Sequence, residues 1–178
     1  VYKRQIVQRQ SFGGWKQSVM GPGAKAGGPN YVAQFGTWAD GPLRPFDADI
    51  SQPVAAQLRG FERLGLSDED TAWLWRAAEL DQLAWQQEFG RNHDRAGLVC
   101  EANVFRYRPV LTPLQIRISA DAQLRDVARL ALAATRTGSP VRLSATPDKA
   151  AELRGLGFDV EALSAEAFAR EVAGLSLI

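Results

Sequence analysis

The residues between Phe12 and Tyr31 have the composition of a loop that grips a ligand. Gly13, Gly14, Gly21, Gly23, Gly27 and Gly28 crowd around Lys16 and Lys25. Each would weaken a helix or strand interior. In a loop they let backbone N–H groups converge on an anion with no side chain in the way. A phosphate cradle is one such chemistry, but the order glycine-lysine-serine/threonine at the start of a helix is absent. Gly155 and Gly157 do not form a dinucleotide fingerprint either. Four other groups invite a chemical reading. Cys100 is the one cysteine, which excludes an internal disulfide and a cysteine-based zinc site. Following Gly97-Leu98-Val99, it reads as a small buried hydrophobe. His93 is the one histidine, so any Ser-His-Asp triad must pass through it; in Arg91-Asn92-His93-Asp94 it reads as an exposed loop residue. Arg125, Arg129 and Arg136 share a helix face that could bind an anion but reads as solvated. Trp73, Trp75 and Trp85 could stack on bases or sugars, yet their helical spacing favours packing. No residue reads as a nucleophile with a matched base, and neither a catalytic residue nor a metal-ligand set is assigned.

The elements that must position these residues change character along the chain. Residues 6–9 read as the end of an extended segment and 10–30 as loop. Tyr31–Trp38 alternates loosely and is a candidate strand, broken by Gly41-Pro42 and Pro45. Pro53 opens a short helix to about Gly60. Ser67 caps a long one, with Asp68, Glu69 and Asp70 in the first turn, where the helix dipole favours anions. Phe89-Gly90 closes it. This helix carries two apolar stripes, Trp73, Ala77, Leu80 and Ala84 beside Leu74, Ala78, Trp85 and Phe89, which suggests clamping between two bodies. From residue 98 strands and helices alternate. Strands are expected at 104–108, 114–118, 141–144 and 158–161. Helices are expected at 121–137, with Leu124, Val127, Ala128, Ala131 and Ala134 inward, at 147–155 and from Ser164 to about Val172. The alternation predicts βαβ units and a parallel sheet.

Bulk properties exclude little. At 178 residues, 46% hydrophobic and 23% charged, the chain has the make-up of an ordinary globular protein. A net charge of +1 gives no global field for nucleic acid or a membrane. Residues 1–46 nevertheless carry Lys3, Arg4, Arg9, Lys16, Lys25 and Arg44 against Asp40. That basic segment suits an anionic ligand or the edge of a larger body. No stretch approaches the roughly 18 apolar residues of a membrane span, and no signal-peptide pattern opens the chain, so the cytoplasm is the expected compartment.

The segment Gln10-Ser11-Phe12-Gly13-Gly14-Trp15-Lys16-Gln17-Ser18 resembles a late motif of aldehyde dehydrogenases. Its continuation, Gly23-Ala24-Lys25-Ala26-Gly27-Gly28-Pro29-Asn30-Tyr31, is similar to the L-glutamate γ-semialdehyde (1-pyrroline-5-carboxylate) dehydrogenase branch, especially the dehydrogenase half of the bifunctional proline utilization A proteins. The segment Glu101–Pro109 and the βαβ stretch after it resemble the C-terminal extension of long bacterial members. Ser11 stands where the motif has proline, and residues 1–5 do not match it and resemble an adapter-derived sequence.

The resemblance implies an α/β chain made of three parts. Residues 1–44 would be the C-terminal end of the dehydrogenase domain (loops and a strand). Residues 45–97 would be a helical linker, and 98–178 a truncated Rossmann-like extension with a mainly parallel sheet. Phe12 would line the aldehyde pocket. Gly27 and Gly28 would hold the substrate's α-carboxylate through their N–H groups, with Asn30 available to brace the loop. Phe35 would pack on the substrate's methylenes. The implied substrate is glutamate γ-semialdehyde and the cofactor NAD, whose site lies upstream with the family's catalytic cysteine and general-base glutamate. FAD joins them if a proline dehydrogenase half is present. The rest of the parent chain is the implied partner, in a homo-oligomer, with no nucleic acid and at most a peripheral membrane contact. The alternative is a structural lid that braces the dehydrogenase and its substrate channel without activity of its own.

Overall fold

The computed structural model describes residues 31–37, 39, 49–94 and 96–174. The chain divides into two compact units, one formed by 1–44, 89–107 and 176–178 and the other by 45–88 and 108–175.

The second unit is an α/β fold built on a three-stranded parallel sheet in the order β1 (Leu114–Arg117), β2 (Val141–Ala145), β3 (Val160–Ala162). Five helices accompany it: α1 (Gln52–Phe61), α2 (Asp68–Ala84), α3 (Leu124–Thr137), α4 (Pro147–Gly155) and α5 (Ala165–Ala173). Helices α3 and α4 are the crossovers that parallel neighbours require. Local chemistry explains their ends. Ser67 and Ser164 accept hydrogen bonds from the N–H groups of Asp70 and Ala167. Pro147 starts α4, where a missing N–H costs nothing. Gly138 ends α3 at φ 65°, a left-handed conformation open to glycine.

The pleat sorts the strand residues. Ile116, Leu143 and Val160 stand in register on one face; Leu143 and Val160 join Ile118, Ala145, Val127, Ala128, Leu132, Ala150 and Leu153 in the core, and Ile116 packs against it. Val54, Leu58, Leu74 and Ala78 bring α1 and α2 into the same core. The opposite pleat row is polar: Arg117, Ser144 and Glu161 in register, with Arg142 two residues before Ser144.

Several expectations are revised. Tyr31–Trp38 is no strand: Val32–Phe35 forms a 3-10 turn, and Trp38 lies outside the described residues. No partner strand meets it among the described residues, so its backbone bonds locally instead. The strand expected at 104–108 shrinks to one antiparallel bridge between Phe105 and His93. Helix α3 starts at Leu124, three residues later than expected, because Ala120 and Asp121 turn first. Its buried face includes Leu132, which the expected inward set omitted. β3 begins at Val160 because Gly157, at φ 91°, is still turning the chain. The long helix is regular only to Ala84 and continues as a π turn over Trp85–Phe89. Of its two stripes, Leu74 and Ala78 are buried, while Trp73 and Leu80 remain 41% exposed.

Candidate functional site

Of the four candidate substrate-binding residues, Phe12, Gly27 and Gly28 lie outside the described residues. Phe35 closes the Val32–Phe35 turn, 74% exposed, and meets the ring of Tyr31 edge-on at 5.5 Å. An exposed ring steadied by one edge contact presents an apolar surface of the kind that suits a methylene chain.

Parallel α/β folds take ligands in a crevice beyond the carboxyl ends of their strands. In the second unit that edge is occupied by its own side chains. Arg117 stretches from the end of β1 to donate to the Leu163 carbonyl, just past β3, at 2.9 Å. Its guanidinium lies 5.5 Å from the centre of the Phe168 ring. Beneath this reach sits Ser144, 2% exposed, whose Oγ has no hydrogen-bond partner; Nη1 of Arg117 is buried and unpartnered too. The turn from β1 to α3, residues 118–123, contains no glycine. Asp121 in that turn is held below the usual carboxylate range, chiefly by the Ser119 hydroxyl and its own backbone N–H. A pyrophosphate needs glycines that let the backbone approach and a helix start free of acidic side chains. These residues do not fit NAD.

The three arginines of α3 have partners on α2 and at the start of the π turn that follows it. Arg125 pairs with Asp70 at 2.9 Å and faces the Trp73 ring at 5.5 Å. Arg129 makes two 2.7 Å bonds to the Asp81 carboxylate. Arg136 lies 4.3 Å from the Trp85 ring centre, and burial pushes its guanidinium down from its ordinary value against the pull of Asp81. The face expected to be solvated is therefore a seam between two helical segments, with two of its three positive charges paired to carboxylates and the third set against a ring. Asp70 was read from sequence only as a first-turn acid of its helix, and Asp81 was not singled out. The available signal was the spacing: both Asp70/Asp81 and Arg125/Arg136 stand three helical turns apart, on one face of their helix.

In the first unit, Asp94 organises the loop that carries Cys100. Its two carboxylate oxygens accept from the N–H groups of Gly97 and Asn103, each at 3.1 Å. Phe105 stacks edge-on with Tyr107, and Tyr107 with Phe89. Cys100 is exposed, contrary to the buried role expected of it. His93 is half-buried and its backbone pairs with Phe105, which corrects the exposed-loop reading. Among the described residues no cluster of three or more His, Cys, Asp or Glu could hold a metal ion. No helix among them is long and apolar enough to cross a membrane.

An open groove of about 530 Å³ lies at the amino ends of β2 and β3 in the second unit. Phe61 and Phe158 line it with rings 5.6 Å apart. Both of its arginines are engaged: Arg142 with Glu161, and Nε of Arg154 with the Val160 carbonyl.

No protein-family model matches the chain, and neither does any curated protein. A solved structure does, that of Proline Utilization A (PutA) from Corynebacterium freiburgense, at 39% identity over 93% of this chain with a TM-score of 0.54. The chain spans 18% of that protein's length. It is thus similar, over nearly all its residues, to one region of a much longer proline utilization A protein.

Proposed function

We propose that this chain is the C-terminal part of an NAD-dependent L-glutamate γ-semialdehyde dehydrogenase of the proline utilization A type. In this reading the glycine-rich segment anchors the substrate's carboxylate, and the α/β unit is a non-catalytic extension. The observation that carries the reading is the 39% identity to a proline utilization A protein over 93% of the chain, together with the motif from Phe12 to Tyr31.

The roles follow from chemistry. Gly27 and Gly28 supply N–H donors to a carboxylate, with Phe12 and Phe35 as apolar walls for the methylenes between carboxylate and aldehyde. Oxidation of the aldehyde, with NAD accepting the hydride, falls to the family's cysteine and glutamate, which have no counterparts among these residues. The extension acts as a brace or lid. Its carboxyl edge, filled by Arg117 and Phe168, supports a role that needs no nucleotide.

Gly28→Val in the full-length parent enzyme tests the anchor. A Cβ and two methyls would crowd the carboxylate, so KM for the semialdehyde should rise at least tenfold while KM for NAD stays within about twofold. Equal rises in both would remove the anchor assignment. Removing everything from Pro45 onward in the same parent should impair the enzyme if the extension braces it; unchanged activity would dismiss that role.

A further inference from the structure

The two faces of the parallel sheet are covered unequally. Helices α3 and α4 seal the apolar face with Val127, Ala128, Leu132, Ala150 and Leu153, all buried. Helix α5 lies on the polar face. Its Phe168 ring stands 5.5 Å from the Arg117 guanidinium, and its Glu171 comes within 3.9 Å of Arg142; both arginines belong to the polar pleat row. No residue of α5 is fully buried, so the helix is held there lightly. The face beneath it is incompletely bonded. Arg117 is the register partner of Ser144, and its Nη2 donates to the Leu163 carbonyl beyond β3. The side chain therefore crosses β2 where Ser144 stands. Two polar atoms of this crossing are buried without a hydrogen-bond partner, Nη1 of Arg117 and Oγ of Ser144, the latter on a residue 2% exposed. Among the described residues no carboxylate pairs with Arg117, and those of Glu161 and Glu171 are drawn to Arg142. A buried donor without an acceptor is costly, more so on a charged group.

We infer that Arg117 and Ser144 form a binding site for one small carboxylate, with α5 as the strap over it. Nη1 of Arg117 and the Ser144 hydroxyl donate to the carboxylate oxygens, and the guanidinium supplies the matching charge. The residues select the ligand. Arg117 has already given Nη2 to Leu163, so one charged donor remains, enough for a monoanion. Glu161, in register with Ser144 on the same face, opposes the second charge of a phosphate dianion. Arg117 itself repels a cation. Such a site needs neither a glycine-rich turn nor a free helix start, so the features that exclude NAD do not exclude it. Room for the ligand comes from α5. Because that helix buries no residue completely, it can lift locally with little apolar area lost. The inference rests on the polar face of the sheet and is independent of the dehydrogenase reading.

Titration of the 178-residue chain with sodium acetate, against sodium chloride at equal ionic strength, is the test. Amide NMR reads binding, and circular dichroism confirms folding. Acetate should give saturable shifts at Arg117, Ser144 and the α5 amides. It should also slow hydrogen exchange across α5, increasingly with concentration. Ser144→Ala removes one donor without crowding and should weaken acetate binding roughly tenfold. Arg117→Gln should abolish it. If Arg117→Gln fails to fold, Ser144→Ala decides. The phosphate dianion should bind more weakly than acetate. Shifts that acetate and chloride produce alike would overturn the proposal, as would acetate binding undiminished in Ser144→Ala or tighter binding of phosphate.

Discussion

The α/β unit and the 89–107 segment are held by opposite means. In the first, side chains do the holding: Leu74, Leu132, Leu153, Val54, Val127 and Val160 are all under 2% exposed. In the second, the backbone is held by a carboxylate and one bridge, through Asp94 and the His93–Phe105 pair. Apart from the stacked rings of Phe105 and Tyr107, its larger apolar side chains stay outside. Val99 is as exposed as in an extended chain (107%), and Leu98 and Val104 are about half exposed. One region draws stability from apolar burial. The other obtains its shape from satisfied polar groups, which set conformation at little hydrophobic gain. A segment of that kind can carry exposed apolar residues without losing its form.

Substitutions can break this contrast or sharpen it. Leu153→Ala should have the largest effect, removing a fully buried side chain between α4 and the sheet. It should cost roughly 2–5 kcal/mol in urea unfolding followed by circular dichroism. A cost under about 1 kcal/mol would mean that the site collapses freely and that the unit is not cemented by its core. Asp81→Ala should come next, at about 1–2 kcal/mol, because it leaves Arg129 half-buried with two charged bonds lost. Here the check is whether Asp81→Ala and Arg129→Ala, combined, cost less than the sum of each alone. Val99→Ser should have the smallest effect, within about 0.5 kcal/mol on the same urea midpoint. A larger loss would show that Val99 is buried in solution and would erase the difference between the regions.

Much of the α/β unit was legible in the residues. Ser67, Ser164, Pro147 and Gly138 mark helix ends through bonds made within a few residues. The alternation of strand and helix predicted parallel pairing, and the sheet is parallel. Tyr31–Trp38 misled because loose alternation describes a strand only when a neighbour can bond to it. Cys100 misled because an apolar sequence context does not bury a residue; Asp94, six positions earlier, shapes the loop that holds it in the open. The arginines of α3 misled because their partners lie on another helix, 48 and 55 residues away along the chain for Arg129 and Arg125. As for the candidate substrate site, the motif from Phe12 to Tyr31 was legible as a resemblance; of its four residues, Phe35 alone falls among those described.

Taken alone, the sequence determined what short-range physics controls: where helices start and stop, which faces are apolar, and the change from a glycine-rich segment to a βαβ pattern. Tertiary structure decided what depends on distant neighbours. It turned a basic helix face into a seam with Asp70, Asp81 and Trp85. It laid Arg117 across the edge where a nucleotide would enter. It also buried Ser144 beneath that reach with its hydroxyl unpartnered. The physical reason is that a charge or a backbone donor has no preferred partner until the fold brings one within hydrogen-bond reach. A cap or a turn finds its partner three residues away.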